Sequence, residues 1–219
     1  MSDIENTSIK EEVAIAAEQG KDLHALVRDI TLRTLSRRTL SASEIMEVVR
    51  AVTEGLTLGL GRRAGEIKES VRDALSGLDE ALKKTAEATL LAAQQLISQG
   101  KEFGAQDLKP AMDELKQMEE MFLRTVSKVT EAAGGRIKEE FSSQLNHARV
   151  SGTDSGRLIA DTVAQFSQRA AASVKTGVVQ TAGATQEVKQ RLTLLASGIL
   201  AGMADALHEK AKPGERKVP

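Results

Sequence analysis

Three histidines are the side chains of this sequence best suited to metal binding or to proton transfer near neutral pH. His208 follows Asp205 by three residues, so both would lie on one face of a helix, where they could share a metal as in di-iron bundles. Such sites need a second motif and further glutamates on facing helices, and here there is one imperfect instance. His24 follows Asp22 near a helix start and His147 stands among polar residues. We therefore interpret all three as solvated surface histidines and expect neither a metal site nor a cofactor.

Carboxylates and hydroxyls are plentiful, but their spacing does not predict catalysis. The acidic pairs at 119–120 and 139–140 are adjacent in sequence, so the two members of each pair would point to different parts of a helix surface. No serine or threonine stands in a nucleophile elbow or beside a suitable histidine base. The sequence predicts a protein that is not an enzyme.

The stretch EGLTLGLGRRAG, residues 54–65, contains four glycines and two arginines. A phosphate-binding loop would need the GxGxxG spacing after a strand, or a Walker lysine followed by Ser or Thr, and the stretch has neither. A break in a helix is a second interpretation, because each interior glycine costs about 1 kcal/mol relative to alanine. A third is a helix with few side chains against which another helix can pack closely.

The apolar register favours the third interpretation. Leu56 and Leu60 lie eleven residues before Ile67 and Val71, so the pattern passes through the glycines without losing phase. A repeat of eleven residues is typical of helices that pack along a nearly straight seam. We therefore expect one continuous helix through this stretch.

Six glycines form pairs four residues apart, and each pair would open a groove on a helix face. The predicted helix-packing residues are Gly55, Gly59, Gly61, Gly65, Gly198 and Gly202. The pair in the last helix repeats the spacing of the first group, so the two groups are expected to meet in an antiparallel bundle.

A cluster of arginines, at 33, 37, 38, 62 and 63, is the feature closest to a nucleic-acid site. It lacks interleaved stacking aromatics, and the chain has a net charge of -1. The first three arginines are explained by their place at the predicted C-terminus of a helix, where the helix dipole favours cations. We do not expect a nucleic-acid partner.

The composition favours an intracellular helical protein with an aliphatic core. Aromatic residues make up 2% of the 219 residues and hydrophobic residues 41%, which suits thin helix-on-helix interfaces. The absence of Cys excludes disulfides and thiolate metal sites, and is compatible with a reducing compartment. The acidic N-terminus has no apolar core of a signal peptide, and no run approaches the roughly 18 apolar residues of a membrane span. We expect a cytoplasmic protein without a transmembrane segment.

Three prolines and many Ala, Glu, Lys, Gln and Leu residues predict long helices and no strands. The expected fold is all-α, an elongated antiparallel bundle of three long helices, about 42–100, 108–149 and 154–210, preceded by two short N-terminal helices. Residues 1–210 would form a single domain, followed by a disordered charged tail, 211–219. Capping-box spacing at Ser8–Glu11 and Ser41–Glu44 predicts where the first short helix and the first long helix begin.

The last helix has no charged residue from Leu192 to Ala204. This favours the central position in the bundle, and the alternative is a helix that faces an oligomeric partner, a lipid surface or a hydrophobic granule.

Several segments resemble an uncharacterised family of bacterial all-helical proteins with a domain of unknown function. They include EQGKDLHALVRDITLRTL, VVRAVTEGLTLGLGRRAGEIKE and LSGLDEALKKTAEAT. The resemblance spans most of the chain and implies no functional residue. Ala- and Gln-rich stretches such as EALKKTAEATLLAAQQL are also similar in composition and period to phasins and exchangeable apolipoproteins, which coat polymer granules or lipid. The sequence thus predicts a non-catalytic scaffold protein that forms homo-oligomers, with a phasin- or apolipoprotein-like coat protein as the alternative.

Overall fold

A computed structural model describes residues 2–20, 22–99, 108–173 and 184–211. These residues form eight helices and no strand, so the predicted all-α class is confirmed. The helices are α1 (Ser2–Gln19), α2 (Leu23–Leu35), α3 (Ala42–Arg62), α4 (Lys68–Gln99), α5 (Lys109–Ala133), α6 (Gly135–Ser151), α7 (Asp154–Ser173) and α8 (Ala184–Ala211). The predicted tail beyond Ala211 lies outside the described residues.

Polar side chains mark the starts of α2 and α3. Asp22 accepts a hydrogen bond from the backbone N–H of Ala25 at 3.1 Å, and the Ser41 hydroxyl accepts one from Glu44 N–H at 3.4 Å. The start predicted from the Ser41 capping-box spacing is therefore confirmed. The corresponding prediction at Ser8 is wrong, because α1 already begins at Ser2 and Ser8 lies within it.

The helix predicted to run from about 42 to 100 is two helices. The 21-residue α3 ends at Arg62 and the 32-residue α4 begins at Lys68. Gly65 has a φ of +96° in the connection, a conformation that favours glycine. Ile45 near the start of α3 and Thr89 near the end of α4 line the same cavity, so the chain reverses direction between them.

The helix predicted over 108–149 is also divided. Gly134 has a φ of +68° and separates α5 from α6. A residue with positive φ cannot continue a right-handed helix. The helix predicted over 154–210 corresponds to α7 and α8, and residues 174–183 between them lie outside the described residues.

Ion pairs fix the directions of the first three helices. Glu12 pairs with Arg33 at 2.7 Å and Glu5 with Arg38 at 3.2 Å, so α1 and α2 are antiparallel. Between α1 and α3 the numbers rise together, with Lys10–Glu54 at 2.9 Å and Glu18–Arg62 at 3.5 Å. The helices α1 and α3 are therefore parallel, with α2 as the return segment between them.

One buried hydrophobic cluster, mostly aliphatic, runs from Ile9 in α1 to Leu200 in α8. The helix α4 lies at its centre and packs against α2, α3, α6, α7 and α8. The last helix was expected in this central position, but α8 buries one side, which includes Val188, Leu192, Ala196 and Leu200. Its opposite side faces solvent.

Candidate helix-docking surface

Gly55 and Gly59 of α3 lie directly against the backbone of α1. A Cβ at Gly55 would lie 2.6 Å from the Lys10 carbonyl oxygen, and one at Gly59 would overlap the Ala14 carbonyl oxygen. Both glycines are buried. At these two positions the helix that approaches closely is α1, and not the last helix.

Gly61 and Gly65 have different surroundings. A Cβ at either position would meet nothing within 4 Å, and both residues are exposed. Gly61 lies in the last turn of α3, and Gly65 lies in the connection to α4. Within the described residues neither glycine receives another helix.

Two arginines hold the connection between α3 and α4. Arg136, at the start of α6, donates to the Gly65 carbonyl at 2.5 Å and to the Arg63 carbonyl at 3.2 Å. Arg63 in turn donates to the Ser70 hydroxyl at 2.8 Å. Two carbonyls just beyond the C-terminus of α3 are thereby satisfied by a cation, which the helix dipole favours there.

A polar cleft beside this connection carries both signs of charge. Arg63, Lys68 and Arg72 line it together with two carboxylates, those of Glu66 and Glu69. Arg72 already lies 3.9 Å from Glu69 and 3.6 Å from Asp73. The cleft therefore differs from a phosphate cradle made of backbone N–H groups and unopposed cations.

The outer face of α8 consists of its solvent-facing residues Arg191, Leu194, Gly198, Gly202, Asp205 and Glu209. The Leu194 side chain is 73% exposed, and a Cβ at Gly198 or Gly202 would meet nothing within 4 Å. The glycines were expected to meet those of α3, and the structure instead places them on solvent. This face combines an exposed leucine with a groove free of side chains.

Charges lie at both ends of this face. Arg191 donates to Glu187 one turn earlier at 2.7 Å, and Asp205 and Glu209 are exposed in the last turns of the helix. Between them lie the uncharged residues 192–204. The outer face of α8 thus begins at a cation, Arg191, which is paired with Glu187, and ends at two carboxylates.

Two glycine contacts were not predicted from the sequence. A Cβ at Gly77 of α4 would overlap the His24 carbonyl oxygen of α2, and one at Gly156 of α7 would overlap the carboxylate of Glu119. A lone glycine inside a helical pattern often has such a packing reason, and this was the available signal for Gly77.

The start of α7 is held by carboxylates from two other helices. Asp79 of α4 accepts hydrogen bonds from the backbone N–H groups of Asp154 at 2.8 Å and Ser155 at 3.2 Å. Glu119 of α5 accepts from the N–H of Thr153 at 2.9 Å and from its hydroxyl at 2.8 Å. Acidic groups are favourable at a helix N-terminus, so these contacts fix α7 against α4 and α5.

The histidines are not brought together. His24 lies 3.2 Å from Glu80, which also lies 3.6 Å from Arg28, while His147 and His208 are exposed on other helices. Within the residues that the structure describes, no group of three His, Cys, Asp or Glu side chains could hold a metal ion.

The basic cluster is divided among separate ion pairs. Arg33 pairs with Glu12, Arg62 with Glu18, and Arg38 donates to Asn6 at 2.9 Å besides its contact with Glu5. These arginines connect α1 to its neighbours.

No helix in the described ranges is both long enough and apolar enough to cross a bilayer.

Comparison with known proteins identifies one family. Residues 1–209 match the Family of unknown function (DUF6781), and the chain belongs to it. No curated protein and no solved structure matches the chain significantly.

Proposed function

We propose that this protein is a non-catalytic helical scaffold that self-associates through the outer face of α8. The observation that carries the proposal is the open groove at Gly198 and Gly202, next to a Leu194 side chain that is 73% exposed. Burying one leucine side chain contributes about 1.5–3 kcal/mol, and a symmetric dimer would bury two.

The same chain supplies a precedent for the contact. Gly55 and Gly59 have the same four-residue spacing on α3, and there the backbone of α1 lies in the groove. The occupant that fits such a groove is another helix. The pair on α8 offers an equivalent groove without an occupant in the described chain.

Charge complementarity favours a second copy of α8 as that occupant. If two copies lie antiparallel with Gly198 of each opposite Gly202 of the other, Arg191 of each lies opposite Glu209 of the other. Leu194 then lies opposite Ala206, which is also exposed. A parallel pair would place like charges opposite each other, which is unfavourable.

Light scattering on the purified chain tests the proposal. The wild type is expected to have twice the 23.4 kDa chain mass at about 100 µM, where a dimer of micromolar Kd is formed. The double variant Gly198→Leu, Gly202→Leu is expected to be monomeric with full helicity, because leucine is the better helix former. Gly61→Leu is the matched control, since this exposed helical glycine lies on α3, and it should leave the mass unchanged.

Charge exchange separates the outer face of α8 from other contacts. Arg191→Glu and Glu209→Arg should each weaken the dimer, and the double exchange should restore it. A wild type that is monomeric at this concentration contradicts the proposal, as does a dimer insensitive to all these changes. A monomer that floats with phosphatidylglycerol vesicles would instead support a phasin- or apolipoprotein-like coat protein.

A further inference from the structure

A cavity of about 140 Å³ lies where the connection between α2 and α3, the helices α4 and α5, and the inner side of α8 meet. We propose that this cavity binds a small uncharged apolar molecule with a ring of about six carbon atoms. The cavity is separate from the outer face of α8, so the proposal does not depend on self-association.

The floor of the cavity is apolar and belongs to the core. It is formed by Ile45, Leu115, Met118, Leu192 and Ala196, each at most 5% exposed. An apolar cavity of about 150 Å³ accommodates a molecule the size of benzene. Such a ring would therefore fill this space, and the atoms of the floor would gain contacts that they lack around a void.

The mouth of the cavity is open to solvent. Lys189 of α8 and Glu114 of α5 stand there, and their side chains are 50% and 48% exposed. Thr39, in the connection between α2 and α3, also lines the cavity and is exposed. A small molecule can therefore enter while α8 remains packed on the core.

The charges around the mouth do not select an ion of either sign. Lys189 Nζ and Glu114 Oε1 lie 3.1 Å apart, so each charge is compensated by the other. Ala42 in the first turn of α3 lines the cavity, but the same turn holds the acidic Glu44, which offsets the positive end of the helix dipole. A charged ligand would lose water at the mouth without gaining an unpaired partner.

The hydroxyl groups of the lining do not require a polar ligand either. Ser41 accepts a hydrogen bond from Glu44 N–H at 3.4 Å, and Thr89 donates one to the Thr85 carbonyl at 2.9 Å. Among the described residues, the only buried polar side-chain atom without a hydrogen bond is Oε2 of Glu44, which does not line the cavity. The cavity thus offers a ligand mainly apolar surface, whose burial drives binding.

Methionine methyl NMR tests the proposal without an activity assay. The sequence has six methionines, and Met118 lies on the cavity floor whereas Met203 does not line the cavity. With 13C-labelled methyl groups assigned by Met→Leu variants, benzene is titrated into the full chain. The Met118 methyl should shift and saturate with a Kd on the order of 1 mM, while the Met203 methyl should not move.

Rings with matched substituents test whether the site prefers an uncharged ligand. Benzyl alcohol and benzylammonium have the same number of non-hydrogen atoms, and benzoate carries the opposite charge. Both ions should bind at least about 5-fold more weakly than benzyl alcohol, because either charge must give up water. Lys189→Gln should change the Kd for benzene by less than about 2-fold, since the ring contacts the apolar floor.

A variant that fills the cavity tests where the ring binds. Ala111 of α5 lines the cavity and is partly buried, so the larger side chain in Ala111→Leu should occupy the space and raise the Kd for benzene at least about 10-fold. Ala148→Leu is the matched control, because Ala148 is a partly buried alanine of α6 that does not line the cavity. It should leave the Kd unchanged, and circular dichroism checks that both variants are folded.

Four results would overturn the proposal. No saturable Met118 shift up to about 10 mM benzene, or an equal shift at Met203, would exclude a specific site. An unchanged Kd in folded Ala111→Leu would place the ring outside this cavity. Binding of benzylammonium or benzoate as tight as that of benzyl alcohol would mean that the site does not prefer an uncharged ligand.

Discussion

At the scale of single residues, glycines with one spacing occupy three kinds of position. Gly55 and Gly59 receive a helix backbone, Gly61 and Gly65 lie at the end of α3 and in the turn after it, and Gly198 and Gly202 line an open groove. Spacing alone could not distinguish these positions, because each depends on which helix lies opposite. Spacing therefore predicts a groove at each pair but does not identify the helix that lies opposite it.

The contact at Gly59 should be sensitive to a single methyl group. A Cβ there would overlap the Ala14 carbonyl and lie 2.7 Å from Ala17 Cβ, so α1 would have to move. We expect Gly59→Ala to lower the free energy of unfolding by about 2 kcal/mol, as overpacking does, despite the better helix propensity of alanine. Urea unfolding followed by circular dichroism measures this change.

The control is Gly61→Ala, where nothing lies within 4 Å. It should raise the free energy of unfolding, by at most about 1 kcal/mol. Equal effects of the two substitutions would show that α1 does not lie against Gly59.

At the scale of elements, the apolar register predicted which residues are buried better than it predicted how the helices are connected. The hendecad positions Ile45, Leu56, Ile67 and Leu78 are all buried, although the chain turns between Leu56 and Ile67. The register does not reveal this turn, because Ile67 is buried next to the start of α4. Its carbonyl oxygen already accepts a helical hydrogen bond from Val71 N–H at 2.8 Å. Buried positions repeat in the same phase whether the helix continues or folds back.

A pair of spin labels distinguishes the hairpin of α3 and α4 from a continuous helix. The chain has no Cys, so the thiols introduced by Arg50→Cys and Lys83→Cys are the only ones to be labelled. A continuous helix would separate these positions by about 50 Å. The hairpin should bring them below about 35 Å, because neighbouring helix axes lie 8–10 Å apart and one intervening helix doubles that distance.

The control pair is Lys83→Cys with Gln94→Cys, both within α4. It should show about 17 Å in either case. A distance near 50 Å for the first pair would contradict the turn at residues 63–67.

The anchoring of α7 is a second property of the elements. Nothing in the sequence indicates this role for Asp79, and Glu119 stands out there only as one of two adjacent acidic residues. The turn before α7 is recognisable in SGTDSG, but Asp79 and Glu119 precede it by more than thirty residues. Only the packing of α4 and α5 brings these carboxylates to the helix start. Long-range capping of this kind has no local sequence signature.

Removal of one of these carboxylates should loosen α7. We expect Asp79→Ala to cost about 1–2 kcal/mol, because two backbone N–H groups and the Ser155 hydroxyl lose their acceptor. Hydrogen exchange should accelerate in the first turns of α7. Asp73→Ala is the control, since Asp73 lies on the same helix and its side chain is 48% exposed. If hydrogen exchange in the first turns of α7 were equally fast in this variant, Asp79 would not be a specific anchor.

At the scale of the whole molecule, α4 takes the central place that the uncharged last helix was expected to take. The helix α8 uses one side for the core and leaves the other side on solvent. The lack of charge in residues 192–204 is compatible with both arrangements, so composition could not decide between them. The proposed dimer follows from this exposed side, and its antiparallel register follows from the charges at either end.

The distance between two copies of α8 tests the proposed self-association most directly. His208 is exposed and stands beside the outer face of α8 without belonging to it, so a spin label at His208→Cys should leave the contact intact. An antiparallel pair centred between Gly198 and Gly202 predicts about 25 Å between the two labelled positions, from the helical rise and the spacing of packed helices. A distance near 10 Å would mean that the two helices are parallel. The absence of any coupling between chains at about 100 µM would mean that α8 does not pair. Either result contradicts the proposal.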